Sequence, residues 1–175
     1  MKKTINLKML LFVAVMAFAG AQQVQAQAFD ADYDFKIFAG YLNKGGKSGV
    51  LLGAEYGRSR FFSFGCFAQA LFNVKNDDGE KMEFISCTEL NFRCNFHWTD
   101  VFHLPSNFDI YTGINTGLRA VGLQGGIRYN FSERFGLYGE VQQPLMRTFV
   151  SDDKDFYNKL FSKKFGFSVG FTINL

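Results

Sequence analysis

Residues 165–175 alternate without a break: Phe165, Phe167, Val169, Phe171, Ile173 and Leu175 stand against Gly166, Ser168, Gly170, Thr172 and Asn174. A period of two gives a β-strand one apolar face and one small or polar face. The same alternation predicts strands over residues 33–42, 48–57, 61–74, 81–98, 107–116, 119–131, 135–145 and roughly 160–175. In 81–98 the even positions Met82, Phe84, Leu90, Phe92, Cys94, Phe96 and Trp98 are apolar, interrupted by Ser86 and Thr88. Its odd positions include Glu83, Glu89, Asn91, Arg93, Asn95 and His97. One such strand fits a soluble sheet lying on a core; eight, with no helix to cover their apolar faces, fit a closed sheet without edges.

The connections carry turn chemistry: Asn43-Lys44-Gly45-Gly46-Lys47, Arg58-Ser59-Arg60, Asn76-Asp77-Asp78-Gly79, Gly117-Leu118 and Ser132-Glu133-Arg134. Parity checks the boundaries. The apolar residues Phe108, Ile110 and Ile114 are even, whereas Val121, Leu123, Ile127, Tyr129 and Phe131 are odd. A two-residue turn at Gly117-Leu118 makes that phase change while keeping one face outward, and the three-residue turn 132–134 preserves the phase.

The first 26 residues read as an export leader. Lys2, Lys3 and Lys8 form a basic start, residues 9–21 are 13 apolar positions in a row, and Val24-Gln25-Ala26 offers a small-residue cleavage site. The run is short of the roughly 20 residues that a spanning helix needs. The mature chain is expected to begin at Gln27, with cleavage after Ala28 as the alternative. The leader holds three of the 19 basic residues and no acid, so 16 basic residues face 16 acidic ones afterwards. No basic patch for nucleic acid survives. The 23 Phe and 18 Gly beside only 2 Pro suit crowded or bent strands. Cys66, Cys87 and Cys94 are odd in number, and their predicted facings differ, so free thiols are expected.

The predicted fold is therefore all-β: an eight-stranded antiparallel up-and-down transmembrane β-barrel, with a signal peptide over 1–26 and one barrel domain over 27–175. Each segment supplies the roughly 9–11 tilted residues that cross an apolar zone. With both termini in the periplasm, 58–60, 99–106 and 132–134 are periplasmic turns. Phe61, Phe62, Trp98, Phe102, Phe131 and Phe135 beside them form an interfacial girdle. The longest opposite connection, 147–159, is rich in charge through Asp152, Asp153, Lys154 and Asp155.

Any chemistry lies on the inward face, where the phase places Glu55, Gln69, Glu89, Arg93, Asp109, Tyr111, Arg128, Tyr138, Glu140 and Gln142. Interior charges need partners, so Glu89 and Arg93 are expected with Asp109, and Arg128 with Glu140. Three readings stay open for that network: a plug that fills the barrel, a narrow ion path gated by the pairs, and small-ligand binding. Acyl-transfer chemistry needs His with Ser and a carboxylate. The two histidines, His97 and His103, fall near the predicted periplasmic rim with no His-x-Ser sequence, and read as interfacial polar residues. No enzyme activity is expected. Cys87, Cys94 and His97 lack a common facing and paired-ligand spacing, so no metal or cofactor is expected. Gly45-Gly46 and Gly125-Gly126 lack the strand-loop-helix context of a phosphate cradle.

Four stretches carry a resemblance: QAFD at 27–30, FDIYTG at 108–113, GLQGGIRYNF at 122–131 and RFGLYGEVQQPL at 134–145. On these the chain resembles a Bacteroidetes-type family of small outer-membrane β-barrel proteins of unknown function. The resemblance implies outer-membrane location and eight strands and supplies no catalytic residues. Such barrels usually end in an aromatic residue read by the assembly machinery; this chain ends in Leu175. The expected role is a structural or surface-interaction barrel, monomeric, in contact with outer-membrane lipid and lipopolysaccharide. Periplasmic chaperones and the barrel-assembly machinery are its expected partners during biogenesis. The alternatives are a narrow pore and a secreted small-ligand-binding barrel with its apolar face inward.

Overall fold

The computed structural model describes residues 27–29, 34–75, 83–148 and 156–175, with side chains given from 160 onward in the last of these. Eight strands close into one antiparallel barrel in which each strand pairs with its chain neighbours and the last returns to the first. They are β1 (Phe35–Lys44), β2 (Lys47–Gly57), β3 (Phe62–Leu71), β4 (Thr88–His97), β5 (Phe108–Gly117), β6 (Ala120–Asn130), β7 (Phe135–Arg147) and β8 (Gly166–Asn174). Helix α1 (Phe156–Lys163) precedes β8. Closure pairs Tyr41 with Val169 and Lys36 with Asn174, which leaves the first strand no open edge.

Turn residues decide the hairpins. Between β1 and β2 the connection shrinks to Gly45-Gly46, at φ +58° and +79°, since Lys44 and Lys47 already face each other across the ladder. Two successive left-handed residues match the twist of a two-residue hairpin, and glycine reaches that region without a Cβ clash. In β7, Pro144 lies in the strand opposite a register shift between Val121 and Gly122. An irregularity there is where a residue without an N–H fits a ladder.

Two strand expectations are corrected. Over 81–98 the strand begins only at Thr88; residues 85–87 form a 3-10 turn, and 81–82 lie outside the described residues. Ser86 and Thr88, the interruptions in the alternation, mark the place: Thr88 Oγ1 donates to the Phe84 carbonyl at 2.9 Å and closes the turn. Over 160–175 the strand begins at Gly166. Residues 156–163 are helical instead, and Leu160 and Phe161, consecutive in sequence, are both buried at its packed side. The Asn76-Asp77-Asp78-Gly79 turn and residues 149–155 of the long connection lie outside the described residues.

The sidedness is set by parity. Val50, Leu52, Phe64, Leu90, Phe92, Ile114, Leu123, Ile127, Val141, Phe167, Val169 and Phe171 point away from the barrel and are exposed, Phe92 by 60 %. Arg93, its neighbour in β4, is 4 % exposed. At the end that carries the termini, Phe61 and Phe62 lie against Phe96, and Phe96 against Trp98, which stacks on Phe102 at 5.5 Å. Inward glycines let large residues share a narrow lumen: Phe38, Gly53 and Phe67 stand in one registered row, where a Cβ at Gly53 would run into the Phe38 ring and the Phe67 Cβ. Alternating large and small inward residues is how a barrel of this size fills itself.

Candidate functional site in the barrel lumen

The structure places Glu55, Gln69, Glu89, Arg93, Asp109, Tyr111, Arg128, Tyr138, Glu140 and Gln142 on the inward face, each at most 5 % exposed. It adds Lys36, Ser63, Asn91, Asn95, His97, Asn115 and Gln124, all buried. Parity alone carried the signal for several of these, because Asn91, Asn95 and His97 share the phase of Arg93, and Ser63 that of Gln69.

Glu55 is the hub. Its Oε2 accepts from Arg93 Nη2 at 2.8 Å, from Asn95 Nδ2 at 3.2 Å and from Arg128 Nη2 at 3.3 Å, while Oε1 accepts from Ser63 Oγ at 3.0 Å. A second carboxylate, Glu140, accepts from Tyr111 Oη at 2.8 Å and Gln142 Nε2 at 2.9 Å, with Arg93 Nη1 in ionic contact at 3.1 Å. The Arg93 guanidinium also lies over the Phe38 ring at 4.4 Å, a favourable placement for a desolvated cation. Two inward arginines thus share three carboxylates: Glu55, Glu140 and, at 3.9 Å from Arg128 Nη1, Asp109.

The expected pairings are therefore redrawn. Arg93 joins Glu55 and Glu140 rather than Glu89 and Asp109; Arg128 joins Glu55 and Asp109 rather than Glu140; Glu89 accepts from Gln69 Nε2 at 3.0 Å and from the Arg119 amide at 3.1 Å. The physical reason is reach across the lumen. Arg128 on β6 and Glu55 on β2 stand on opposite walls of an eight-strand ring. Glycines clear the rows: Gly65 is registered between Glu55 and Arg93, and Gly126 between Tyr111 and Glu140.

His97 is corrected too. It is 1 % exposed inside the barrel mouth, not on the interface. Its Nδ1 lies 2.9 Å from Asp109 Oδ2 and its Nε2 2.8 Å from Ser63 Oγ, while Thr99 Oγ1 donates to Asp109 Oδ1 at 2.8 Å. A carboxylate only accepts, so Nδ1–H donates to Asp109. Serine, imidazole and carboxylate thus meet in line, the serine coming from β3 and hence without any local sequence signature. Ser63, however, has one hydroxyl proton for two neighbours, Glu55 and His97, and it is 0 % exposed. The line is thus built into the ionic network through Glu55. His103 is exposed in the 99–106 turn. Among the described residues no group of three or more His, Cys, Asp or Glu side chains is placed to hold a metal ion.

A family model described as a family of unknown function (DUF6646) matches residues 19–175. The chain belongs to this family. No curated protein matches. Among solved structures, this DUF6646 chain is similar to a designed transmembrane β-barrel at 10 % identity and TM-score 0.53, over 81 % of this chain and 95 % of the design. A second design, TMB2.3, solved by solution NMR, gives 11 % identity and TM-score 0.54 over 83 % and 97 %. The outer membrane protein OprG from Pseudomonas aeruginosa aligns at 12 % identity and TM-score 0.48 over 87 % and 99 %. At identities this low the two designs carry the barrel fold and nothing about role.

Both mouths of the DUF6646 barrel are capped. Away from the termini, Phe161 of α1 sits under Lys44 Nζ at 5.4 Å and the Arg119 guanidinium at 5.1 Å, in a cluster with Leu42, Leu51, Leu71, Val74, Cys87 and Leu160. Burial there raises the Cys87 thiol pKa, with Arg119 opposing the shift. At the termini end, Phe29 stacks on His97 with ring centroids 3.5 Å apart. Cys66, Cys87 and Cys94 are free.

Proposed function

We propose that the chain is an exported outer-membrane barrel with a structural or surface-interaction role and a lumen sealed by its own side chains. The carrying observation is the opposition of the two faces. Exposed phenylalanine, leucine, isoleucine and valine surround the outside of the strands, and the charged residues of the network lie within. Soluble monomers rarely expose apolar patches beyond a few hundred Å², and an apolar band with an aromatic girdle is what lipid requires of a closed sheet. The Phe61, Phe62, Phe96, Trp98 and Phe102 cluster supplies such a girdle at the termini end. A secreted ligand-binding barrel would need the reverse facing. The leader over 1–26 belongs to this proposal, as does lipid as the partner of the outer face.

The network and the two aromatic caps favour the sealed reading over the narrow pore. Interlocked charges that must be desolvated give a static filling when every carboxylate has several donors, as Glu55 and Glu140 do. Migration of membrane fractions in unheated and boiled SDS tests the embedding: a shift on boiling is expected, and recovery of an unshifted chain in the soluble periplasm would contradict it. Planar-bilayer recordings test the sealing, with no discrete conductance steps expected; steps that vanish in Glu55→Gln would establish the pore.

A further inference from the structure

The mouth at the termini end is shaped around residues 27–29. Asn130 and Asn174, at the ends of β6 and β8, both donate from Nδ2 to the Gln27 carbonyl, at 2.7 and 3.2 Å, and Asn174 Nδ2 also donates to the Glu133 carbonyl at 3.1 Å. The Ala28 amide donates to the Ser106 carbonyl at 2.7 Å. Ala28 is 0 % exposed. Phe29 then lies flat on His97, with 4° between the ring planes. Each contact comes from a different part of the rim: the 99–106 turn, β4, β6 and β8.

We propose that this mouth is a binding site for a short peptide segment of the form any residue, small residue, aromatic residue, and that residues 27–29 are its resident occupant. The first position is held only through its backbone carbonyl, so its side chain is free to vary. The second, Ala28, is fully buried, so an added branch there must displace its neighbours. The third lays a flat ring on the His97 face, with the centroids 3.5 Å apart. Seated, the segment shuts the line His97, Asp109 and Ser63 from solvent; released, it leaves the imidazole facing the aqueous end of the lumen. This site is independent of where the barrel resides, so detergent micelles suffice to test it.

Two NMR readouts on the full mature chain decide the matter. The Ala28 amide should exchange at least about 100-fold more slowly than in an unstructured peptide, and Ala28→Leu or the pair Asn130→Ala and Asn174→Ala should remove most of that protection. A water-soluble gadolinium chelate should broaden the ring protons of exposed His103 and leave those of His97 sharp. Phe29→Ala should make His97 as sensitive as His103, whereas Phe29→Trp should keep it protected. An unprotected Ala28 amide in the unaltered chain would overturn the proposal, as would His97 protons that stay sharp in Phe29→Ala while the rest of the barrel spectrum is unchanged.

Discussion

Arg93 reaches Glu55 over a glycine: Nη2 and Oε2 lie 2.8 Å apart, and Gly65 is the residue registered between the two on β3. A Cβ at Gly65 would meet the Ala54 carbonyl on the neighbouring strand and come within 3.1 Å of the Glu55 Cα. Because those atoms are backbone, the strands must separate for the methyl to fit. Gly65→Ala should lower stability by about 1–3 kcal/mol, read from urea unfolding in lipid or detergent. An unchanged midpoint would mean that the row is looser than described.

Removing one ion from a buried network costs more than the pair contributes, because the survivors keep their desolvation penalty. Arg93→Ala takes away the guanidinium that Glu140 faces and leaves Glu55 with Arg128, and a loss of about 3–5 kcal/mol is expected. Restoring charge balance should recover part of it. The double variant Arg93→Met with Glu140→Gln should be more stable than Arg93→Ala by well over 1 kcal/mol, since it removes an uncompensated carboxylate and keeps the volume. Equal stabilities for the two variants would argue that water already reaches these groups.

Thiol chemistry separates the two faces and the capped mouth. Cys66 is outward and exposed, whereas Cys87 sits buried beneath Phe161 and Leu160. Burial raises the Cys87 pKa, so at any given pH less of it is thiolate than an ordinary cysteine. Alkylation in mild detergent at pH 8 should leave Cys87 largely unmodified in the folded barrel and modify it after denaturation. Cys87 reacting as fast in the folded barrel as in the denatured chain at pH 8 would show the helix cap to be absent.

The mature start is also testable. Gln27 and Ala28 both contribute backbone contacts to the mouth. Mass spectrometry of the N-terminal peptide should therefore find a chain beginning at Gln27. A chain beginning at Phe29 would discard two of the three clamp positions.

Strand number, facing and the identity of the inward charges were legible because a closed barrel with an apolar outer face and a polar lumen enforces a period of two in nearly every segment. Arg93 and Phe92 illustrate this, adjacent in sequence and opposite in exposure. Helix α1 was hidden, because residues 160–165 are apolar enough to extend the following alternation, and short apolar runs do not distinguish the two periods. The pairings within the lumen were hidden for a different reason. Arg128 meets Glu55 across 73 positions of chain and the width of the barrel, a distance fixed by closure and stagger rather than by local pattern. Ser63 with His97 was missed on the same ground, at a separation of 34.

Which side of each strand meets lipid is the relationship on which the rest stands. In a Trp98→Phe background, the single tryptophan of Phe92→Trp would be read in reconstituted vesicles containing brominated lipid. Strong quenching is the predicted result. Emission untouched by brominated lipid would put position 92 inside the barrel and contradict the account.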